Sequence, residues 1–588
     1  MRGRCGGWMM SIRIDAAGAR FVVKKVWRVS PLISEEVRAA LRRWQDEPVI
    51  QQLFFNRGLT TESEAMAFVQ RSQLVAADVM LLPDMPAAVE RLVAAIEQRD
   101  RIVIYGDYDV DGVTATALLV LHLQQYGADV HPYIPRRDLE GYGLNNPALE
   151  ELAADGTKLV ISVDCGVRSL AEADRARELG MDLIITDHHS VGETLPAAIA
   201  VINPKRPDHA YPERNLSGVG LAYKLAQALQ QRLPLAASVP QCETLLDLVA
   251  LGSVADLAPL SGENRALVWR GLQRINEHPR AGIAALLVAA RRRGSAVDAG
   301  TIAFQLGPRL NAAGRLDTAL DAYRLLVTTD AAEAERLAQA LELLNRDRQQ
   351  QTIEITQRAL QQALAGGAEQ LILFAVDETF NSGIVGLAAA RVQEQAYRPV
   401  LVAQREPDQI RGSARSIAEF HITEALDECA DLLLRYGGHA VAAGFTLHPE
   451  NWDAFVQRMR AIAETKLARL TLRPQLRVDA EVSLADLTGR LARQMEFFEP
   501  TGYGNPAPVF AARNVSVASV RRMGADGQHL KLQLQHAGSA SVEAVAFGEG
   551  AAADTMPRQI DVAFNLELNE WQGRRSVQLR LRDWQPAT

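Results

Sequence analysis

Residues 102–112 read Ile-Val-Ile-Tyr-Gly-Asp-Tyr-Asp-Val-Asp-Gly, a short apolar β-prone run that opens into three carboxylates, Asp107, Asp109 and Asp111. Such a run, closed by glycine, reads as a buried strand, and a buried strand of an α/β sheet delivers the residues after it to the sheet edge. In an extended segment residues two apart share a face, so the three carboxylates would point to one side. Their repulsion makes that arrangement costly without a cation, and hard divalent ions prefer oxygen ligands of this kind. Two plainer readings compete. An EF-hand calcium loop fails on its last ligand, because Leu118 stands twelfth from Asp107 where that loop needs glutamate. A solvated acidic turn leaves the preceding buried strand without a purpose.

The flanking sequence repeats the same alternation. Strands are expected at 102–105, 130–134, 159–163, 183–186 and 199–202, with helices at 113–126 and 169–179, the pattern of a parallel α/β sheet. Asp164 ends one of these strands and Asp187-His188-His189 ends another, where open α/β sheets bind ligands. A lone histidine at a strand end is usually structural. Two in succession after an aspartate, beside other acidic strand ends, read as ligands whose rings can diverge, one to metal and one to substrate. Asp256, after the apolar helical stretch 245–254, is a further candidate; alone it would pass for a surface residue at a helix end.

Downstream, 216–328 is largely helical, and 330–365 is a long helical pattern without proline or glycine whose middle, NRDRQQQT at 345–352, is polar all round. A helix with such a waist is expected to cross solvent between domains, reaching roughly 50 Å. A second α/β unit follows, with strands near 371–376 and 399–403 and helices near 384–394, 422–435 and 451–467. After Pro474 the period changes to two, with strands at 515–520, 530–535, 542–547, 560–568 and 577–581, which suggests a small β-barrel. The expected division is 1–74 (N-terminal extension and helical segment), 75–328 (α/β metal domain), 329–366 (connecting helix), 367–468 (second α/β domain) and 469–588 (barrel).

At 588 residues, 48% hydrophobic and 23% charged, the chain has an ordinary globular balance and exceeds one core. No apolar run reaches the ~18 residues a bilayer needs. Residues 1–15 carry three arginines without the apolar core of a secretory signal, and Met9 and Met10 are alternative starts. Four scattered cysteines exclude a zinc ribbon and favour a reducing cytoplasm. The net charge of −8 gives no global sign of nucleic-acid binding, but steering depends on local potential. Local arginine clusters occur at Arg136/Arg137, Arg411/Arg415, Arg521/Arg522, Arg574/Arg575 and 291–293, each of which also fits a solvated surface.

GDYDVDG at 106–112, SVDCG at 162–166, TDHHS at 186–190 and LGSVAD at 251–256, in this order, resemble the motifs of DHH phosphoesterases. GPRLNAAGR (307–315), GSARS (412–416), GGHAVAAGF (437–445) and PTGYGNPAPVF (500–510) resemble that family's bacterial single-strand-specific 5′→3′ DNA exonuclease branch, and the likeness runs from about residue 50 to the end. The resemblance implies an α/β DHH domain joined by a long helix to a DHH-associated α/β domain, plus an OB-like β-barrel. It implies two divalent ions, manganese or magnesium, with Asp109 and Asp111 on different ions, Asp164 bridging, and His188 and Asp256 completing the second ion's shell. His189 would sit beside the scissile phosphate. Related phosphatases carry a histidine four residues before the first aspartate of the pair; Tyr105 stands there, so Asp107 would fill the first ion's shell or act through a water.

Substrate contacts follow the same likeness. Arg137, before the turn Gly141-Tyr142-Gly143, suits a 5′-terminal phosphate, since a guanidinium fork matches that group. Tyr142 would stack a base, and Arg309, Asn311 and Arg315 would meet backbone phosphates. Ser413, Arg415 and His439 would form the substrate face of the DHH-associated domain, although Gly437-Gly438-His439 alone also fits a helix C-cap. Phe497, Phe498, Tyr503 and Trp571 are either base stackers or barrel core. The implied partners are single-stranded DNA, a single-strand binding protein and a helicase, acting on a monomer in repair and recombination. Two rival readings are a small-substrate DHH hydrolase, such as a pyrophosphatase or oligonucleotide phosphatase, and a scaffold that has lost its ligands.

Overall fold

The Ile-Val-Ile-Tyr run lies inside a five-stranded parallel sheet. Its strands are β1 (Ile102–Tyr105), β2 (Val130–Tyr133), β3 (Leu159–Val163), β4 (Asp182–Thr186) and β5 (Ala200–Ile202), in the order β2-β1-β3-β4-β5. The structure is a computed structural model that describes residues 12–15, 18–21, 24–71, 77–137, 139–365, 367, 369–536, 540–571 and 574–587. Cys5, the Met9/Met10 pair and the side chains of Trp571, Arg574 and Arg575 lie outside the described residues.

Side chains alternate across this sheet. Ile102, Ile104, Ile161 and Ile184 enter one core, and Val103, Tyr105, Val160 and Ile185 the other. With both faces covered, each strand reads as a continuous apolar run. The chain passes from β1 to β2 on one side and to β3 on the other, so a crevice opens beyond the carboxyl ends of β1 and β3. Register sets what lines it. Tyr105 pairs with Ser162 and Val163 with Thr186, so Asp107, Asp164 and Asp187 leave adjacent strands at one level.

Helix α1 (Val110–Gln124) is buried along nearly its whole length beneath α2 (Gly218–Arg232) and α3 (Leu246–Ala255). α4 (Gly262–Glu277) and α5 (Gly307–Leu316) come next, and α6 (Ala331–Ala365) is the long helix read from the sequence. Its waist is exposed at Arg346, Asp347, Gln349 and Gln350 but not all round. Asn345 and Thr352 are buried, and the Thr352 and Thr356 hydroxyls donate to carbonyls four residues back. Such back-bonding satisfies buried polar groups that a sequence pattern counts as solvated.

The chain forms two compact units, one of Val29–Leu344 with Arg477–Thr588, the other chiefly of Asn345–Leu476. In the second, β6 (Leu373–Asp377), β7 (Val400–Arg405), β8 (Ile410–Arg415), β9 (Arg435–His439) and β10 (Ala442–Leu447) take the order β9-β10-β8-β7-β6, and α7 (Val385–Ala396) packs on it. The helix expected at 422–435 stops at Asp427, and Gly437-Gly438-His439 lies in β9 rather than capping a helix. β8, β9 and β10 escaped the sequence reading because alternating glycine, alanine and arginine carry little β-propensity.

In the first unit, β11 (Ala480–Glu481) joins β12 (Phe510–Met523), and β12 closes a five-stranded barrel with β13 (His529–Gln535), β14 (Val542–Ala546), β15 (Gln559–Trp571) and β16 (Arg574–Pro586). The N-terminal helices Glu35–Arg42, Pro48–Phe55 and Glu62–Gln70 share the barrel's core: Ile50, Leu53 and Phe54 cluster with Phe498, Phe510 and Leu532. Phe498 is therefore core and not available to stack a base, and the partly buried Phe497 packs against that core.

Arg265 on α4 fastens this assembly. Fully buried, it donates to the carbonyls of Phe68, Phe497 and Glu499 and lies over the Phe68 ring. Arg265→Ala would remove three hydrogen bonds and a large buried side chain, an expected loss of about 3 kcal/mol. Its thermal midpoint should fall, and limited proteolysis should cut near 497–505 well before the wild-type chain is nicked there.

Candidate metal centre

The acidic triplet is not extended. Asp107 is in the loop after β1, Asp109 is the N-cap of α1, accepting from Gly112 N at 3.1 Å, and Asp111 is in the helix's first turn. The carboxylates converge because strand, turn and helix bend around one point, which corrects the spacing-two reading. Asp111 is held by both oxygens, which accept from Gly218 N (2.7 Å) and Val219 N (2.8 Å) at the start of α2. Asp164 follows β3 at φ +62, a left-handed conformation that aspartate tolerates better than most residues.

Three overlapping donor groups result, each with ligand atoms within 4.8 Å of one another: Asp107–Asp109–Asp164, Asp111–His188–Asp256 and Asp164–His188–His189. His188 Nε2 lies 2.9 Å from Asp164 Oδ1, 3.7 Å from Asp256 Oδ2 and 3.8 Å from Asp111 Oδ2. Yet His188 Nε2, Asp164 Oδ1 and Asp107 Oδ1 are buried without any hydrogen-bond partner. Buried polar atoms are normally satisfied. Three that converge from different strands fit a cation shared among them.

Electrostatics agree. Burial and then the charge of Asp109 lift the Asp111 carboxyl to about 7; burial and then Asp111 lift Asp256 to about 9. Asp107 and Asp164 rise well above the usual range for the same two reasons. Burial and the neighbouring His189 push His188 down to about 3, so its ring is neutral and presents a lone pair.

His189 is built differently. Burial would lower its pKa, but a 2.7 Å contact from Nδ1 to Asp187 Oδ1 outweighs it and favours the charged ring. Asp187 Oδ1 also accepts from His189 N, Oδ2 accepts from Val167 N, and Asn203 Nδ2 donates to the His189 carbonyl. With Nδ1 engaged, Nε2 is the nitrogen available to a substrate. The orienting roles of Asp187 and Asn203 went unread in the sequence. So did those of Gly218 and Gly252, where a Cβ would lie 2.7 Å from Asp164 Cβ and 2.8 Å from Asp111 Oδ1; glycine inside an apolar helix was the available signal.

Tyr105 does not reach the cluster. Its buried hydroxyl donates to the Gly143 carbonyl and accepts from Asn145, supporting the 141–143 turn, so Asp107 alone stands where the family's extra histidine is missed. Tyr142 Oη donates to the Asp164 carbonyl at 3.1 Å and lies 3.2 Å from His189 Nδ1. Arg137 lies over the Tyr108 ring, 5.2 Å from its centroid. Two of the expected phosphate contacts also have protein partners. Arg309 is tied to Glu342 (2.7 Å) and the Gln305 carbonyl, and Asn311 Oδ1 accepts from Val110 N, so α5 buttresses the acidic loop. Arg315 sits in the last turn of the same helix. In the other unit, register aligns Arg415–Ala442–His439, Ser413–Gly444–Gly437 and Arg411–Thr446–Arg435 across three strands, a glycine-floored face edged by cations.

Acidic and histidine donors gathered at the switch point of a parallel sheet define a phosphoesterase of the DHH class, and residues 101–253 match the model for the DHH family, N-terminal domain. Residues 368–465 match the DHHA1 domain and 478–583 the RecJ OB domain. Single-stranded-DNA-specific exonuclease RecJ of Bacillus subtilis is 35% identical over 564 residues, 95% of this chain and 71% of the relative. RecJ of Thermus thermophilus in complex with Mn2+ superposes with a TM-score of 0.82 at 33% identity, covering 96% of this chain and 80% of that one. Its Mg2+ complex gives 0.76 at 31% identity, with 96% and 78% covered. The chain belongs to the RecJ family.

The raised carboxyls set the response to pH. Below about pH 4 they are protonated in both folded and unfolded chains; as pH rises the unfolded chain loses its protons first, so the metal-free fold is progressively destabilised until the folded values are passed. The thermal midpoint of chelator-treated protein should fall from about pH 5 to about pH 9, spanning the values of Asp111 and Asp256. The increment on adding Mn2+ should grow over that range. An increment independent of pH would contradict the assignment.

Proposed function

We propose that this protein is a single-stranded-DNA-specific 5′→3′ exonuclease that releases 5′-mononucleotides by metal-dependent phosphodiester hydrolysis. One observation carries the reading: two donor groups, Asp107–Asp109–Asp164 and Asp111–His188–Asp256, meet at the unpartnered atoms Asp164 Oδ1 and His188 Nε2. Asp109 and Asp111 would hold different ions, with Asp164 between them, His188 and Asp256 completing one shell and Asp107 the other. Manganese and magnesium, the ions of the Thermus complexes, suit this donor set. When bound, such a pair lowers the pKa of a water and offsets charge on phosphoryl oxygens.

The chain's own groups do the rest. Asp187 favours the charged His189 ring, so Nε2 can donate a proton to a phosphate oxygen or to the leaving 3′-oxygen. The Tyr142 hydroxyl keeps the Asp164 main chain and His189 in register. Arg137 presents a guanidinium beside the acidic loop, suited to a 5′-terminal phosphate. The face carrying Ser413, Arg415 and His439 suits backbone phosphates, because glycine lets a strand lie close while cations flank it. The five-stranded barrel is the kind of fold that tracks single strands. In this reading a helicase and a single-strand binding protein deliver the strand to a monomer, and the buried unbridged Cys165, Cys242 and Cys429 fit the cytoplasm.

Incubation with Mn2+ and 5′-labelled single-stranded DNA, duplex DNA or pyrophosphate tests it. Labelled mononucleotide should come from the single strand alone; hydrolysis of pyrophosphate only, or no reaction, would reject the reading in favour of a small-substrate hydrolase or a scaffold. Asp164→Asn keeps a residue that tolerates φ +62, so the fold should persist. Turnover should nevertheless fall about 1,000-fold or more, the loss expected when several kcal/mol of charge stabilisation is removed. Arg137→Ala should lose about tenfold in preference for 5′-phosphate over 5′-hydroxyl ends. Equal losses on both ends would remove Arg137 from that role.

A further inference from the structure

Where α3 ends, the chain adopts a turn that folding alone does not favour with the residue present. Ala258 N donates to the Ser253 carbonyl at 3.0 Å, and Leu257 between them has φ +61. This is the six-to-one closure of a Schellman motif, whose left-handed position is ordinarily glycine or asparagine. A leucine there meets a steric penalty that glycine avoids. Burial does not offset it, since Leu257 is 62% exposed. Its immediate neighbour is Asp256, a donor of the Asp111–His188–Asp256 group. Backbone strain and uncovered apolar surface thus coincide one residue from the candidate metal centre, a combination found where the side chain serves a ligand.

The adjoining turn carries a second such side chain. Leu260 N donates to the Tyr503 carbonyl at 2.7 Å, and Gly504 backs onto Pro259 so closely that a Cβ there would lie 2.9 Å from the proline's. Tyr503, on this fixed support, is 64% exposed. Among the four aromatics singled out in the barrel region, Phe498 is core and Phe497 packs against it.

We propose that Leu257 and Tyr503 are nucleobase contacts: Leu257 packs on the face of a base close to the phosphodiester at the metal centre, and Tyr503 stacks on a base further along the strand. The inference rests on the single-strand reading above and extends it. Apolar side chains have nothing to offer pyrophosphate or a bare sugar-phosphate backbone. They suit base faces, which a single strand exposes and a duplex hides within its own stack.

The test is a substrate–mutant cycle on the full chain with Mn2+. Single-stranded oligonucleotides carry one abasic nucleotide at each of the first few 5′ positions in turn, and wild type is compared with Leu257→Gly. Glycine relaxes the left-handed position, so the thermal midpoint should hold or rise while KM for the intact strand rises about tenfold. At one position the abasic substitution should raise the wild-type KM by a similar factor, and it should raise the variant's no further. Leu257→Asn, which also accepts this conformation, should behave the same way, and Tyr503→Ser should couple to a more distant position. A KM within about twofold of wild type, independent effects at every position, or a lowered midpoint in both Leu257 variants would overturn the inference while the exonuclease reading stands. A wild-type chain that leaves single-stranded DNA intact would overturn both.

Discussion

Mutual repulsion among buried carboxylates is the constraint around which this protein is organised. Asp107, Asp111 and Asp164 are almost wholly shielded from water, and Asp256 partly so, at the edge of one sheet. Burial first, and then the charge of neighbouring carboxylates, pushes the pKa of each upward. Such a group persists only if the backbone leaves it no alternative. β1 and β3 launch Asp107 and Asp164 at one level, and the N-terminus of α2 grips Asp111. Gly218 and Gly252 let helices close to distances no other residue permits, and Asn311 pins the loop from behind. The energy stored in the metal-free fold is what divalent ions would release.

The histidine pair divides the work by its surroundings rather than its sequence. His188 faces three carboxylates and is held neutral by burial; His189 leans on Asp187 and is favoured in its charged form. Adjacent residues thus receive opposite chemistry from one strand end. Around them, Arg265 ties the N-terminal helices and the segment entering the barrel to the α/β domain, so the Tyr503 turn is fixed against the loop that begins at Asp256.

The parallel sheet was legible because both-face burial writes itself as apolar runs, and the barrel because period two survives in 530–535 and 560–568. The carboxylates and histidines were legible as a set, since each stands at a strand or helix end. Their geometry was not: Asp109 as an N-cap and Asp111 inside a helix depend on where the turn falls, which spacing alone leaves open. The ion pair of Arg309 with Glu342 was not legible, because a charge looks the same in sequence whether it meets solvent, DNA or a carboxylate. The hairpin of β9 and β10 stayed hidden because glycine and alanine carry little β-propensity of their own. Leu257 carried no signal at all; only its left-handed φ marks it.

The central claim is that these side chains hold two divalent ions between them. Anomalous diffraction at the manganese edge, from crystals of the full chain grown with Mn2+, tests it most directly. The account predicts two peaks, one among Asp107, Asp109 and Asp164 and one among Asp111, His188 and Asp256, with Asp164 reaching both. A single peak elsewhere, or two that leave Asp164 and His188 unligated, would contradict it.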